Sequence, residues 1–435
     1  IATVVQTEHR SRIRQSWELL HRASSTPRPH RDHAWRQAQL PAQMGGCGVA
    51  DTITRAGAIY VSSVFRCLPT LRRISNLFST HDLYTSKLPL FRDFRAAYED
   101  IVDLRHRVAA DHAALDVDTY YDLLGRPHTK YHPRSLPPSE KLPTLHVITS
   151  HDSTTKPPSQ RQLSMVYDHN AWLSLLRDIS TRNTIGSPIP WRDGTRLIEA
   201  SQYASGLWCT TPPDSSVPHG QQRSKNALIA MQLRLGLYLS DAAPANDTLH
   251  AAGQTTDYLG DLMSTTKGTA NRHNAIVSKW HDALSAVATG QVLLGDRDSP
   301  NKTNIYNDGY VPDIVQPGIS PWGSDWLGEV KCWSSIYTTS RAGVGKAAHG
   351  GAPADVGHMY AFGNTEERIK IATLGTKQRG VQSEGPFDHA TCTGFVKERR
   401  GEYHDAINVK HNVVALLISN IFGGIAEGGR RQLRL

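Results

Sequence analysis

Apolar positions spaced by three and four predict helices along most of the chain. Ile13, Trp17 and Leu20 mark the first, over residues 11–20, and Pro27 and Pro29 break it. Leu40-Pro41-Ala42-Gln43-Met44-Gly45-Gly46-Cys47-Gly48-Val49 reads as a Pro-to-Gly-Gly turn. It feeds a small-residue helix through Ala56, Ala58, Tyr60, Val61 and Ser62. Residues 91–124, rich in Arg, Asp and Ala, read as two helices. Residues 162–179 are amphipathic, with Leu163, Val166, Ala171, Leu175, Leu176 and Ile179 near helical spacing, and a helix ending in Arg234-Leu235-Gly236 follows. The next opens at Arg272-His273-Asn274 and carries Ile276, Val277, Trp280, Leu284 and Val287.

After Gly290 the pattern changes. Residues 291–295, 310–315 and 326–333 read as short strands. A capped helix is expected from Asn364 or Thr365 toward Gly375. Residues 401–405 and 413–421 are expected to form a last helix closing the core. Residues 126–160 hold seven prolines, which leaves no room for long regular structure. The expected layout is therefore a helical region over 1–125, a proline-rich linker over 126–160, a helical connector over 161–270 and a mixed domain over 271–435. The fold class is α+β, an N-terminal helical region followed by an α/β core with a small central mixed sheet.

A length of 435 residues fits two or three domains. The chain begins at Ile1 without a Met, which suggests a piece of something longer. No apolar run approaches the ~18 residues of a membrane span, and residues 1–20 are polar and basic rather than signal-like. A net charge of +8 and a pI near 9.2 favour an anionic partner, nucleic acid first. Cys47, Cys67, Cys209, Cys332 and Cys392 are too scattered for a metal knuckle, and an odd, sparse count suggests a reducing compartment. No Asp-Asp pair occurs anywhere, so the chain holds no polymerase site of the kind that ends in one.

The candidate chemistry lies in the strands. Side chains alternate along a strand, so Glu329 and Lys331 share one face and Val330 takes the other. Fifteen residues separate Asp313 from Glu329, and those between 316 and 325 include Pro317, Gly318, Ser320, Pro321 and Gly323, a loop composition. If the strand with Pro312-Asp313 lies alongside, two carboxylates and an ammonium converge. Such a set suits phosphodiester hydrolysis with Mg²⁺ or Mn²⁺: carboxylates hold a hard cation that keeps several waters, and the lysine orients a water or steadies the transition state. The bland alternative is two ordinary strands with solvated charges. Lys377, Arg379, Lys397, Arg399 and Arg400 form a basic belt suited to phosphates, and Arg272 and His273 join that nucleic-acid-binding set. Taken alone, His273 reads as a helix-cap or packing histidine. Ala342-Gly343-Val344-Gly345-Lys346 resembles a phosphate loop only superficially, because no Ser or Thr follows the lysine.

Pro312-Asp313 followed by Glu329-Val330-Lys331, in the order helix, strand, Pro-Asp strand, Glu-x-Lys strand, resembles the PD-(D/E)xK restriction-like endonuclease superfamily. Leu40-Pro41 through Gly45-Gly46 and Gly48 resembles a segment after the thumb of reverse transcriptases in non-LTR retrotransposons. Ala204-Ser205-Gly206-Leu207-Trp208, Arg234-Leu235-Gly236 and Arg272-His273-Asn274 are similar to segments in the tails of the same polyproteins. A zinc knuckle usually follows in that family. Here Gly253, Asp257 and Gly260 match its pattern, but Ala252 stands where a cysteine belongs and Leu262 where a histidine belongs, so no zinc is expected.

The resemblance implies the C-terminal region of a retrotransposon polyprotein with a restriction-like endonuclease, its polymerase upstream. It implies a nuclear enzyme that nicks DNA to prime reverse transcription, with DNA and element RNA as partners. Asp313 and Glu329 would be Mg²⁺ ligands, Lys331 the charge-stabilising group, and Asp296 a further acid, with Asp282 and Asp298 as substitutes. The rival expectation is a catalytically dead nucleic-acid-binding remnant.

Overall fold

A computed structural model of the chain describes residues 2–20, 26, 28–51, 53–75, 86–114, 157–181, 190–201, 204–210, 224–239, 269–295, 311–318, 323–333, 369, 373–375, 400–425 and 429. Their elements fall into two compact units, one before residue 244 and one after it. The chain is mixed helix and sheet, and no helix among the described residues is long and apolar enough to cross a membrane.

The first unit is helical. Its main elements are α1 (Ala2–Leu20), α2 (Arg28–Ala38), α3 (Ala56–Ile74), α4 (Pro89–Ala114), α5 (Gln160–Thr181), α6 (Pro190–Ala200) and α7 (Ser224–Leu235). Ala58, Val61, Phe65 and Leu68 of α3 meet Phe91, Phe94, Tyr98 and Ile101 of α4 and Leu163 and Val166 of α5 in one core. Phe65 and Phe94 meet edge to face, centroids 5.0 Å apart, an arrangement the ring quadrupoles favour. Helices from both sides of the proline-rich stretch thus share this core; residues 115–156 lie outside the described ones. The two helices expected over 91–124 are, as far as residue 114, a single one. Its only proline is at the first helical position, where no N–H is needed, and no glycine interrupts it.

A second centre of this unit gathers three segments far apart in the sequence. Arg234, at the end of α7, is fully buried. Its guanidinium donates to the carbonyls of Ala42 at 2.7 Å, Gly46 at 3.2 Å, Ala200 at 3.0 Å and Ser205 at 2.7 Å, and to the Ser205 hydroxyl at 3.0 Å. The turn at Gly45-Gly46 is tight because a Cβ at Gly46 would stand 2.0 Å from the Leu40 carbonyl oxygen. Gln37 ties the same place together from α2, donating to the Gly45 and Arg234 carbonyls at 2.8 and 3.0 Å. Beside it, Trp17, Trp35, Leu235 and Leu237 close an apolar cluster.

The second unit is built on a four-stranded sheet in the order β1 (Leu293–Leu294), β2 (Ile314–Gln316), β3 (Trp326–Trp333), β4 (Val413–Asn420). The first two pairings are antiparallel and β3–β4 is parallel, with Trp326 opposite Val413 and Trp333 opposite Asn420. Helix α8 (Thr269–Val287) covers one face, placing Val277 and Trp280 against Ile314, Trp326, Val330, Ala415 and Leu417. On the other face Val315 and Leu327 pack against Tyr403 and against Ala406 of the short helix α9 (His404–Asn408).

Two sequence expectations are corrected here. Residues 413–421 do not close the core as a helix; 413–420 form β4. A strand flanked on both faces needs an unbroken apolar run, and such a run has no period that tells strand from buried helix. Leu417 packs toward α8, while Leu416 and Ile418 pack with Ile369 and Leu374. The Pro-Asp strand begins only at Ile314, so Asp313 lies just before it, with Pro312 unable to donate to a ladder.

Candidate active site

Asp313 is placed by the end of a ladder. The last β2–β3 pair is Ile314 with Gly328, and the next available amide on β3 is that of Val330. That N–H donates to Asp313 Oδ2 at 2.8 Å, so the carboxylate takes the place of a backbone carbonyl. Oδ1 lies 3.0 Å from Nε2 of His273, in the first turns of α8. Thus the start of α8 and the middle of β3 both fix Asp313.

Two residues along β3, alternation returns Glu329 and Lys331 to the face opposite Val330. The side chain of Glu329 is 9% exposed and that of Lys331 34%, and they form an ion pair. The Tyr403 hydroxyl, held against the sheet beside α9, donates to the second oxygen of Glu329. Burial first, and then the charge of Asp313, pushes the Glu329 carboxyl above its ordinary value, while Lys331 and Tyr403 hold it partway back. Burial disfavours the Lys331 charge, but Glu329, Glu402 and Asp313 outweigh it and raise the amine. His273 is raised chiefly by its hydrogen bond to Asp313. Tyr403 is raised strongly, by burial and then by Glu329.

The three residues singled out in the sequence therefore meet, joined by two that were placed elsewhere or missed. His273, expected at a nucleic-acid surface, is half-buried on Asp313. Tyr403 lies 74 positions beyond Glu329, and nothing in its local pattern signals the contact. Among the other candidates, Arg272 lines a concavity beside α8. Arg400 is exposed and pairs with Asp405 at 2.6 Å. Asp282 is exposed and pairs with Lys279 at 3.3 Å. Asp296, Asp298, Lys377, Arg379, Lys397, Arg399, the knuckle-like stretch 249–262, the glycine-rich stretch 342–351 and the expected cap at 364–365 lie outside the described residues.

Among the described residues, no group of three or more His, Cys, Asp or Glu side chains could by itself hold a metal ion. Mg²⁺ needs less than that, because it keeps several waters and is commonly bound through one or two carboxylates. Asp313 and Glu329 are two such donors, close enough that the charge of one raises the proton affinity of the other. A hard divalent cation would relieve that repulsion, so the pair fits Mg²⁺ better than zinc, which takes thiolate and imidazole ligands.

Tyr403 gives a direct check on this arrangement. Tyr403→Phe removes a buried donor to a charged acceptor, a loss of about 1.5–3 kcal/mol. Thermal melting should fall by several degrees, with the sheet otherwise intact; an unchanged melting temperature would show that Glu329 does not depend on that hydroxyl. No family model, no curated protein and no solved structure matches the chain.

Proposed function

We propose that the second unit is a metal-dependent DNA endonuclease of the restriction-like kind, and that the chain is the C-terminal part of a retroelement protein that nicks its target DNA in the nucleus. The observation that carries the reading is the meeting of Asp313, just before β2, with Glu329 and Lys331 of the adjoining β3. Helix α8, β1, β2 and β3 follow in the order the restriction-like core uses. Net charge favours a nucleic-acid partner.

Each side chain has a definable part in this reading. Asp313 and Glu329 would hold Mg²⁺ through oxygen. Bound there, the ion would supply an acidified water and offset the phosphate's charge. The Val330 amide and His273 keep Asp313 oriented. Tyr403 orients Glu329 through the oxygen that Lys331 does not hold. Lys331, a third exposed, can turn its ammonium toward the charge that develops on a phosphate in the transition state.

A second reading, a nucleic-acid-binding remnant without catalysis, draws on Ala252 and Leu262, which stand where the family's knuckle has metal ligands. Plasmid nicking separates the two. Wild type should convert supercoiled plasmid to open circles with Mg²⁺ and not with EDTA, and Glu329→Ala should not nick. Salt-sensitive DNA binding with no nicking by wild type would favour the remnant, while absent or salt-insensitive binding would sink both readings.

A further inference from the structure

On the α8 face of the sheet, opposite the face that carries Glu329 and Lys331, lies a concavity of about 580 Å³ that no step above uses. Its wall is apolar, formed by Ile276, Trp280 and Ala283 of α8 together with Ile425 and Cys332. Arg272 and Lys279, seven residues apart on α8 and so on one side of the helix, stand at it. Lys279 is more than half exposed, and its pair with Asp282 at 3.3 Å is a surface one, weak enough to yield to a phosphate. Ser419 also lines the concavity. It is 9% exposed, and its hydroxyl has no hydrogen-bond partner among the described residues. A hydroxyl buried without a partner is unfavourable unless something brings one.

We infer that this concavity takes one unstacked nucleotide of a DNA strand that runs over the Asp313–Glu329 pair. The inference rests on the nuclease reading for the identity of the strand. The dimensions suit it, since small-molecule pockets commonly span about 300–1,000 Å³. So does the chemistry: an apolar wall for a base, a buried hydroxyl for a heteroatom on the base edge, and two cations for the flanking phosphates. The placement supports it as well. Arg272 is the neighbour of His273, which holds Asp313, and Cys332 follows Lys331 on β3. The cluster and the concavity are therefore one residue apart along both α8 and β3, which sets them on opposite faces of β3, joined around its edge past Gly328, where β2 has ended and Asp313 sits. A strand held there would cross that edge, its backbone at the carboxylates and one base turned out of the stack toward α8, so sites with a weakly stacked or unpaired base would be preferred.

The test uses the full chain in EDTA, where binding is separated from cleavage. The probe is a short single-stranded oligodeoxynucleotide carrying one 2-aminopurine, whose emission reports unstacking. Wild type should bind it with a change in emission. Ala283→Trp fills the concavity from an exposed position, so folding is not at risk. It should weaken oligonucleotide binding roughly tenfold, the order of one lost base contact, and abolish the emission change, with blunt duplex binding unaltered. Ser419→Val, which keeps the shape and removes the hydroxyl, should weaken it several-fold. Binding and emission in Ala283→Trp equal to wild type would overturn the inference. That outcome together with Mg²⁺-dependent nicking leaves the nuclease reading standing and removes the concavity. Loss of binding in Ala283→Trp without nicking by wild type does the reverse.

Discussion

Arg234→Ala is expected to unfold the first unit. The side chain supplies five hydrogen bonds, four of them to backbone carbonyls contributed by the 40–46 turn, the end of α6 and the 204–206 turn. Truncation leaves those acceptors buried, each at a cost of about 1–3 kcal/mol, against a total stability of about 5–15 kcal/mol for a typical domain. Lysine should not rescue it, because a compact ammonium has three donors and cannot span carbonyls that the planar guanidinium fork reaches. Methionine should not either, since the acceptors remain unpaired whatever apolar group fills the space. Urea unfolding followed by tryptophan emission is suited to the measurement, since Trp17, Trp35 and Trp172 are all buried in this unit. An unfolding free energy within about 1 kcal/mol of wild type would mean that water replaces the guanidinium at every carbonyl, and the role given to Arg234 would be wrong.

The parts of this fold that were legible in the sequence are those with a period. Helix α5 shows itself through Leu163, Val166, Leu175, Leu176 and Ile179, all buried. Helix α8 shows itself through Val277 and Trp280, which face the sheet. The strand with Glu329 and Lys331 was legible because a period of two follows from backbone geometry alone. Residues 413–420 were not, because a run apolar on both faces carries no period to read. Arg234 was legible as part of a motif but not as a hub, because its partners lie up to 192 positions away and are backbone atoms, which any sequence supplies. Tyr403 and His273 were hidden for the same reason. A contact between a side chain on one element and a carboxylate on another is decided by how elements dock, and neither residue has a local pattern that requires it.

Asp313→Asn should separate folding from chemistry most sharply. The substitution keeps an oxygen that can accept from the Val330 amide, and its amide nitrogen can donate to Nε2 of His273 when that imidazole is neutral with its proton on Nδ1, so above the titration of His273 the local geometry has no reason to change. It removes one of two carboxylates whose mutual repulsion, on top of burial, raises Glu329. Melting should therefore hold or rise slightly, while Mg²⁺-dependent nicking should fall by at least about 10²–10³-fold, the scale of losing one electrostatic group in an active site. Lys331→Met is the contrasting case. It leaves Glu329 buried without its counter-charge, and breaking a buried pair in this way costs about 3–5 kcal/mol, toward the low end here because Lys331 is a third exposed. Loss of nicking in that variant would confound stability with chemistry. The double variant resolves the matter. With Asp313 neutral, Glu329 faces one negative charge fewer, so Asp313→Asn should restore part of the melting temperature lost in Lys331→Met while restoring none of the nicking. Additive effects on stability would place Asp313 and Glu329 too far apart to share an ion, and the nuclease reading would fall with them.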